Sequence, residues 1–256
     1  MLLRVEHVSK VFGGLSAVND YCLNLPEGKI FGLIGPNGAG KTTIFNLITG
    51  IYRVTEGRIY FKDVVVTNRR VDERAVLGVT RSFQNLRLFR SLSVIQNVKI
   101  ARHMHLDYGF FGAVFNLPKF LKLERNLNDF GKEILSLFGL TDHMGKIAGE
   151  LPYGLQRKLD IVRAIATGAK LILLDEPTAG MNSYEAERLA ELLKQVHGKY
   201  GLTIVIVEHR MPFVMGLAER IQVLDHGVTI AEGSPEEIRK EKRVIEAYLG
   251  KEDDVA

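Results

Sequence analysis

Three things are scarce in this chain, and each scarcity excludes a class of protein. Among 256 residues there is one cysteine, Cys22, in an apolar, strand-like segment, so no disulfide forms within the chain and the thiol suits a reducing compartment. Uncharged stretches are short. The longest near the middle, "YGFFGAVFNLP", falls well below the roughly 18 residues of a membrane-spanning helix, and the opening "MLLRVEHVSK" lacks the apolar core of a secretory signal. Charge of one sign is not concentrated either: 34 basic and 30 acidic residues are interspersed and leave a net charge of +4, which gives no nucleic-acid footprint. Repeats, low-complexity tracts and Pro/Ser-rich linkers are also missing, so no clean domain boundary shows. A soluble protein is expected, one that can still dock on something embedded in a membrane.

What the chain does have is 46% hydrophobic composition, enough for one large domain or a core with an inserted subdomain. Strand-like segments ("LLRVEHVS", "AVNDYCLNL", "KIFGLIG") fill the first 35 residues, and the third runs into a Gly-rich loop and a helix from Lys41 to about Thr49. "GRIYF" and "GVTRSF" read as further strands, and from about Ser93 to Ala169 the pattern is helical. Then come the strand "LILLD", a helix through "SYEAERLAELLKQVHGKY", and the strands "LTIVIVE", "RIQVLD" and "VTIAEG". Apolar runs alternating with helices indicate an α/β fold with a parallel sheet covered on both faces. At the C-terminal end "SPEEIRK" predicts a helix start, with Ser234 as N-cap, Pro235 first in the helix and Glu237 completing a capping box.

"GPNGAGKTT", Gly35 to Thr43, fits G-x-x-x-x-G-K-[ST] between a buried strand and a helix. Gly35, Gly38 and Gly40 let the backbone turn tightly and bring its N–H groups to phosphate oxygens; Pro36, Asn37, Ala39 and Thr43 complete the nucleotide-binding set. Lys41 reaches the β and γ phosphates, and the Thr42 hydroxyl is a ligand for Mg²⁺. At the end of "LILLDEP", Asp175 emerges at the sheet edge where the loop lies and is a second Mg²⁺ ligand, while Glu176 is placed as general base for the attacking water. An Asp-Glu pair after a strand can also simply cap the next turn. "LTIVIVE" ends in Glu208 and His209, and His209 is a candidate γ-phosphate contact or a structural histidine.

These residues, with "SFQN", "LPYGLQRKL" and "LILLDEPTAG" in order along the chain, resemble the ATP-binding subunits of ABC transporters over essentially the whole length. The resemblance implies a P-loop NTPase (RecA-like) core with an antiparallel β subdomain, at about 1–92 and 170–256, and an inserted helical subdomain at about 93–169 carrying the signature motif. It implies that Phe12 stacks on adenine, where the residues alone allow a core position, and that Gln84 joins the Mg²⁺ site to a membrane partner. It further implies ATP and Mg²⁺ as cofactors and an ATP-dependent homo- or heterodimer, head to tail, each ATP lying between one phosphate loop and the other subunit's Tyr153 and Gly154. Transmembrane permease subunits and a peripheral place on the cytoplasmic face of the cell membrane follow from the same resemblance; nucleic acid does not.

"GVTRSFQNLRLFRSLSVIQNV", the insertion "YGFFGAVFNLP", the Y-G form of the signature and the ending "VIEAYLG" are similar to the branched-chain amino-acid importer subgroup. Phe110, Phe111 and Phe115 belong to that likeness or to packing of the insertion. Apolar Leu86, Leu88 and Phe89 after Gln84 are expected to face a permease helix. The chain departs from the family pattern in two places: Leu151, Pro152, Tyr153, Gly154 and Leu155 occupy the positions of L-S-G-G-Q, so the serine is missing, and Asn182 stands for the Asp after the second carboxylate. A helix start can hold phosphate through its backbone N–H groups and dipole without a hydroxyl, and Pro near that start costs little. Two other functions stay open on sequence grounds: a soluble ABC ATPase acting on nucleic acid or ribosomes, and a degenerate nucleotide-binding module that only assembles.

Overall fold

The computed structural model describes residues 1–82, 86–102 and 118–249. They fall into two compact units, 1–81 with 170–256, and 82–169. Gln84, Phe110, Phe111 and Phe115 lie outside the described residues.

The first unit holds two sheets. A four-stranded antiparallel sheet runs in the order β2 (Leu15–Leu25), β1 (Leu3–Phe12), β4 (Glu56–Phe61), β5 (Val64–Val65). On β1, Leu3, Val5 and Val8 are buried, and a bulge between Val5 and Val8 keeps the apolar side inward despite the odd spacing.

The second sheet has the order β10 (Val228–Gly233), β9 (Arg220–Asp225), β3 (Ile30–Ile34), β8 (Thr203–Val207), β7 (Leu171–Asp175), β6 (Val79–Arg81). From β9 to β6 all pairings are parallel, and β10 closes the edge antiparallel to β9. Every residue of β3, β7 and β8 is buried, the pattern of strands covered on both faces. Helices α1 (Lys41–Thr49), α2 (Val71–Leu77), α6 (Ser183–Tyr200), α7 (Met211–Leu217), α8 (Pro235–Lys240) and α9 (Lys242–Leu249) belong to this unit. Helix α8 starts as expected: Ser234 accepts from the Glu237 N–H, and Glu237 accepts from the Ser234 N–H at 2.7 Å.

Register across the parallel strands fixes the functional edge. Leu33 pairs with Val207 and Val207 with Asp175, so the ends of β3, β8 and β7 are level. The connections leaving those ends therefore share one edge, the place where open α/β sheets bind ligands.

The second unit contains α3 (Val94–Arg102), α4 (Pro118–Leu137) and α5 (Tyr153–Ala166). Its interior is apolar at helical spacing: Val94 and Val98 on α3, Leu127 and Ile134 on α4, Leu159, Val162 and Ala166 on α5. The segment before α3, grouped with the ATP-binding core on sequence grounds, is tied into this unit. Ala148 and Gly149 donate to the carbonyls of Leu92 and Arg90, and Ser93 bridges Ile147. Buried Asn97 accepts from the Phe89 N–H at 3.0 Å and donates to its carbonyl at 3.1 Å. Leu88 is buried, contrary to the expectation that it faces a partner, whereas Leu86 is half-buried and Phe89 exposed.

Candidate nucleotide site

The loop from Gly35 to Gly40 closes over itself because three glycines take positive φ, of 150°, 81° and 100° at Gly35, Gly38 and Gly40. Two of them also leave no room for a side chain. A Cβ on Gly35 would stand 2.1 Å from the Leu224 carbonyl oxygen, and one on Gly40 2.6 Å from that of Ala17. The loop is thus pressed against β9 and β2 and tied to the β9–β10 turn, where Gly227 donates to the Ala39 carbonyl at 3.0 Å. Ala39 and Pro36 are buried, whereas Asn37 and Gly38 face outward.

Lys41, the first residue of α1, is 6% exposed, and its Nζ donates to the carbonyls of Gly35 at 2.7 Å and Pro36 at 2.8 Å. The helix start carries no side-chain cap and no acidic residue, so its N–H groups and dipole offer an anion site across the loop mouth. Thr42 is exposed in that first turn and Thr43 half-buried.

Asp175 ends β7 and is almost fully buried. Its Oδ2 accepts from Arg81 at 2.5 Å. Glu176 follows in the left-handed region at φ 47°, a conformation strained for a non-glycine residue, and its N–H donates to the Val207 carbonyl at 2.8 Å. That kink turns Glu176 away from the direction of Asp175, and its Oε1 lies 3.0 Å from His209 Nε2. His209 and Glu176, 33 positions apart in sequence, are therefore neighbours.

Buried Glu208 accounts for this arrangement. It accepts from the N–H and hydroxyl of Thr178, from the His209 N–H at 2.8 Å and from the Arg210 N–H at 3.2 Å, so one carboxylate binds the loop after Glu176 to the loop after β8. Sequence reasoning assigned Glu208, Thr178 and Arg81 no role, because Thr178 and Glu208 meet across 30 positions and Arg81 and Asp175 across 94.

Phe12, at the end of β1, is 40% exposed and so is not a core residue. Its ring meets Tyr52 edge-on at 5.2 Å, and Lys10 Nζ lies 4.8 Å from its centroid. An exposed aromatic pair of this kind offers a face for a planar base.

In the other unit, Pro152 caps α5 with φ −53° and ψ 147°, accepting from the N–H groups of Leu155 and Gln156. Tyr153 is exposed, and an added Cβ on Gly154 would meet nothing within 4 Å, so the first turn is open to a ligand. Asn182 serves its own helix. Its Oδ1 accepts from the Glu185 N–H at 2.9 Å while Glu185 accepts from its N–H, a capping box that starts α6. Asn and Asp cap equally well, so the departure costs the helix nothing.

Of the donors that sequence reasoning assigned to Mg²⁺, Gln84 lies outside the described residues, and the other two, the Thr42 hydroxyl and the Asp175 carboxylate, are hard oxygens carried by elements that share one edge of the sheet. That donor chemistry fits Mg²⁺ rather than a softer metal.

Comparison with known proteins agrees with this geometry. The ABC transporter family model matches residues 18–179, and a model described as branched-chain amino acid ATP-binding cassette transporter matches 228–254. The chain is 42% identical to the high-affinity branched-chain amino acid transport ATP-binding protein LivG of Salmonella typhimurium, over 97% of this chain and 98% of that one. It is 38% identical to BraF of Pseudomonas aeruginosa over the same shares. Among solved structures, the ADP conformation of an ATP-binding cassette of an ABC transporter is 30% identical at a TM-score of 0.83, covering 97% of this chain and 98% of that one. A dimeric cassette in a post-hydrolysis state, bound to ADP and Pi, is 26% identical at a TM-score of 0.77, covering 91% and 98%. With the loop, the strand-end carboxylates and the helical insertion all in the family's order, the chain belongs to the ABC transporter family and is one of its ATPases.

Proposed function

We propose that this chain is the ATP-hydrolysing subunit of an importer for branched-chain amino acids, acting as a homo- or heterodimer beneath transmembrane permease subunits on the cytoplasmic face of the membrane. Support for the solute comes from the transport proteins LivG and BraF, matched over nearly their whole length. The same matches disfavour a nucleic-acid or ribosome-directed ATPase. The observation that carries the chemistry is Glu176, turned out of line after Asp175 and bonded to His209 at the edge where the phosphate loop opens.

In this reading the loop N–H groups and Lys41 bind the β and γ phosphates, Phe12 stacks on adenine, and Glu176 takes the proton of the attacking water. His209 holds the Glu176 carboxylate and reaches the γ-phosphate. Thr42, Asp175 and Gln84 would hold Mg²⁺, which supplies neutralisation of the charge on the β and γ phosphate oxygens. Tyr153 and Gly154 of a second subunit would close over the γ-phosphate through the α5 N-terminus, with backbone and dipole in place of the serine hydroxyl.

Glu176→Gln tests both halves. ATP turnover should fall by about 100- to 10,000-fold with ATP affinity nearly unchanged, because the base is lost and the phosphate cradle is not. Uptake of labelled leucine should fail in cells dependent on this variant. The Glu176→Gln protein should also dimerise on ATP addition, and adding Gly154→Asp should block that dimer by bulk and like charge. Retained turnover removes Glu176 from the role of base, and ATP-dependent dimers in both proteins remove Gly154 from the interface.

A further inference from the structure

The proposed mechanism gives no role to a buried cation beside the site. Arg81 is the last residue of β6 and pairs with Leu173 of β7, so the carboxylate of Asp175, two residues on, lies on the same face of the sheet. Its Nη2 donates to Asp175 Oδ2 at 2.5 Å, and its Nη1 donates to Oδ1 of Asn46 on α1. The guanidinium carbon stands 5.4 Å from the ring centroid of buried Phe45, the neighbour of Asn46. Side-chain exposure is 5% for Arg81 and 3% for Asp175.

Two roles are compatible with a cation so placed, and they differ in sign. An arginine that merely neutralises Asp175 would have to be displaced by an arriving metal, and loosening it would tighten metal binding. An arginine that positions the carboxylate would do the opposite. The contacts favour the second role, because Asn46 and Phe45 hold the guanidinium from the α1 side independently of the carboxylate. Its planar fork then sets the rotation of the Asp175 side chain, as partners of metal-bound carboxylates commonly do.

We propose that Arg81 is a positioning residue for the divalent cation of the nucleotide site. It locks the strand-end carboxylate and, through Asn46, links it to the helix that begins with Lys41 and Thr42. This inference rests on the nucleotide and Mg²⁺ reading given above. Arg81 touches neither phosphate nor water in this role.

The test uses the full chain, Mn²⁺ as a paramagnetic probe and a non-hydrolysable ATP analogue. Free Mn²⁺ is followed by electron paramagnetic resonance, and analogue affinity is measured separately in chelator without metal. Arg81→Lys keeps the charge but loses the fork; Asn46→Ala removes only the anchor and leaves the buried ion pair in place. Nucleotide-dependent Mn²⁺ affinity should weaken about tenfold in Arg81→Lys and to a smaller degree in Asn46→Ala, with metal-free analogue affinity within about twofold of the parent. A purely structural role would instead lower metal-free nucleotide affinity and the thermal midpoint together. Unchanged or tighter Mn²⁺ binding in Asn46→Ala overturns the inference while leaving the proposed function intact. Absence of nucleotide-dependent Mn²⁺ binding in the parent protein overturns both.

Discussion

Lys41 is held at the mouth of its own loop by the carbonyls of Gly35 and Pro36, which fixes an ammonium where phosphate oxygens would lie. Lys41→Ala removes a charge-assisted partner of the nucleotide, so ATP affinity should drop by about 10- to 100-fold, the equivalent of one strong charged hydrogen bond. A fluorescent-nucleotide titration measures this, and parental affinity would exclude the contact. Glu176→Gln acts on turnover instead, so the two variants separate binding from chemistry at neighbouring points of one edge. The contiguous motifs were legible because their chemistry is local: a glycine needing positive φ, a lysine and a hydroxyl follow one another in Gly40, Lys41 and Thr42. Arg81, Asn46 and Glu208 were not legible. Their partners lie far away in sequence, and nothing local distinguishes a buried arginine at a strand end from an exposed one.

Helix α1, which begins with Lys41, ends against a buried cation that no local pattern singles out. Arg74 of α2 donates to the carbonyls of Leu47 at 2.6 Å and Ile48 at 2.7 Å in the last turn of α1, and to the Thr67 carbonyl at 2.8 Å. Burial pushes its guanidinium down to about 10, still charged at neutral pH, so it meets the negative end of the α1 dipole as a cation. Arg74→Met fills similar space but leaves those carbonyls without their donor and should cost about 3 kcal/mol in urea unfolding. A loss under about 1 kcal/mol would mean that the carbonyls find other partners. Helix α2 itself was passed over, since its short polar stretch has no clear apolar periodicity and its burial against α1 depends on that one arginine. The longer elements were readable for the converse reason: β3, β7 and β8 are continuous apolar runs, and α6 has an apolar stripe beneath an Asn182 cap.

At the scale of the whole molecule, the chain leaves the first unit after Arg81 and returns at Lys170, where Lys170 and Leu171 both donate to the Gly78 carbonyl at 3.0 Å. Entry and exit of the helical unit are therefore adjacent strands, which lets an insertion form without disturbing the parallel sheet. Within that unit Asn97 holds both backbone groups of Phe89, and the ring, 45% exposed, lies 5.0 Å from the Arg163 guanidinium carbon. With Leu88 buried and Leu86 half-buried, Phe89 is the exposed apolar residue of its segment, and so the one to test against a permease helix. Phe89→Asp should abolish co-purification with permease subunits while ATP binding and the thermal midpoint stay near the parent; an intact complex would move the contact elsewhere. By itself the sequence determined the phosphate loop, the two strand-end carboxylates, the order of the longer strands and helices though not β5, α2 or α7, and the family, because each is written in residues that are adjacent or evenly spaced. Only the tertiary structure decided that His209 meets Glu176, that Arg81 grips Asp175, that Phe12 is exposed and that Leu88 is buried. Those outcomes depend on the register of parallel strands and on packing between segments far apart in the chain, quantities that no local pattern of residue types encodes.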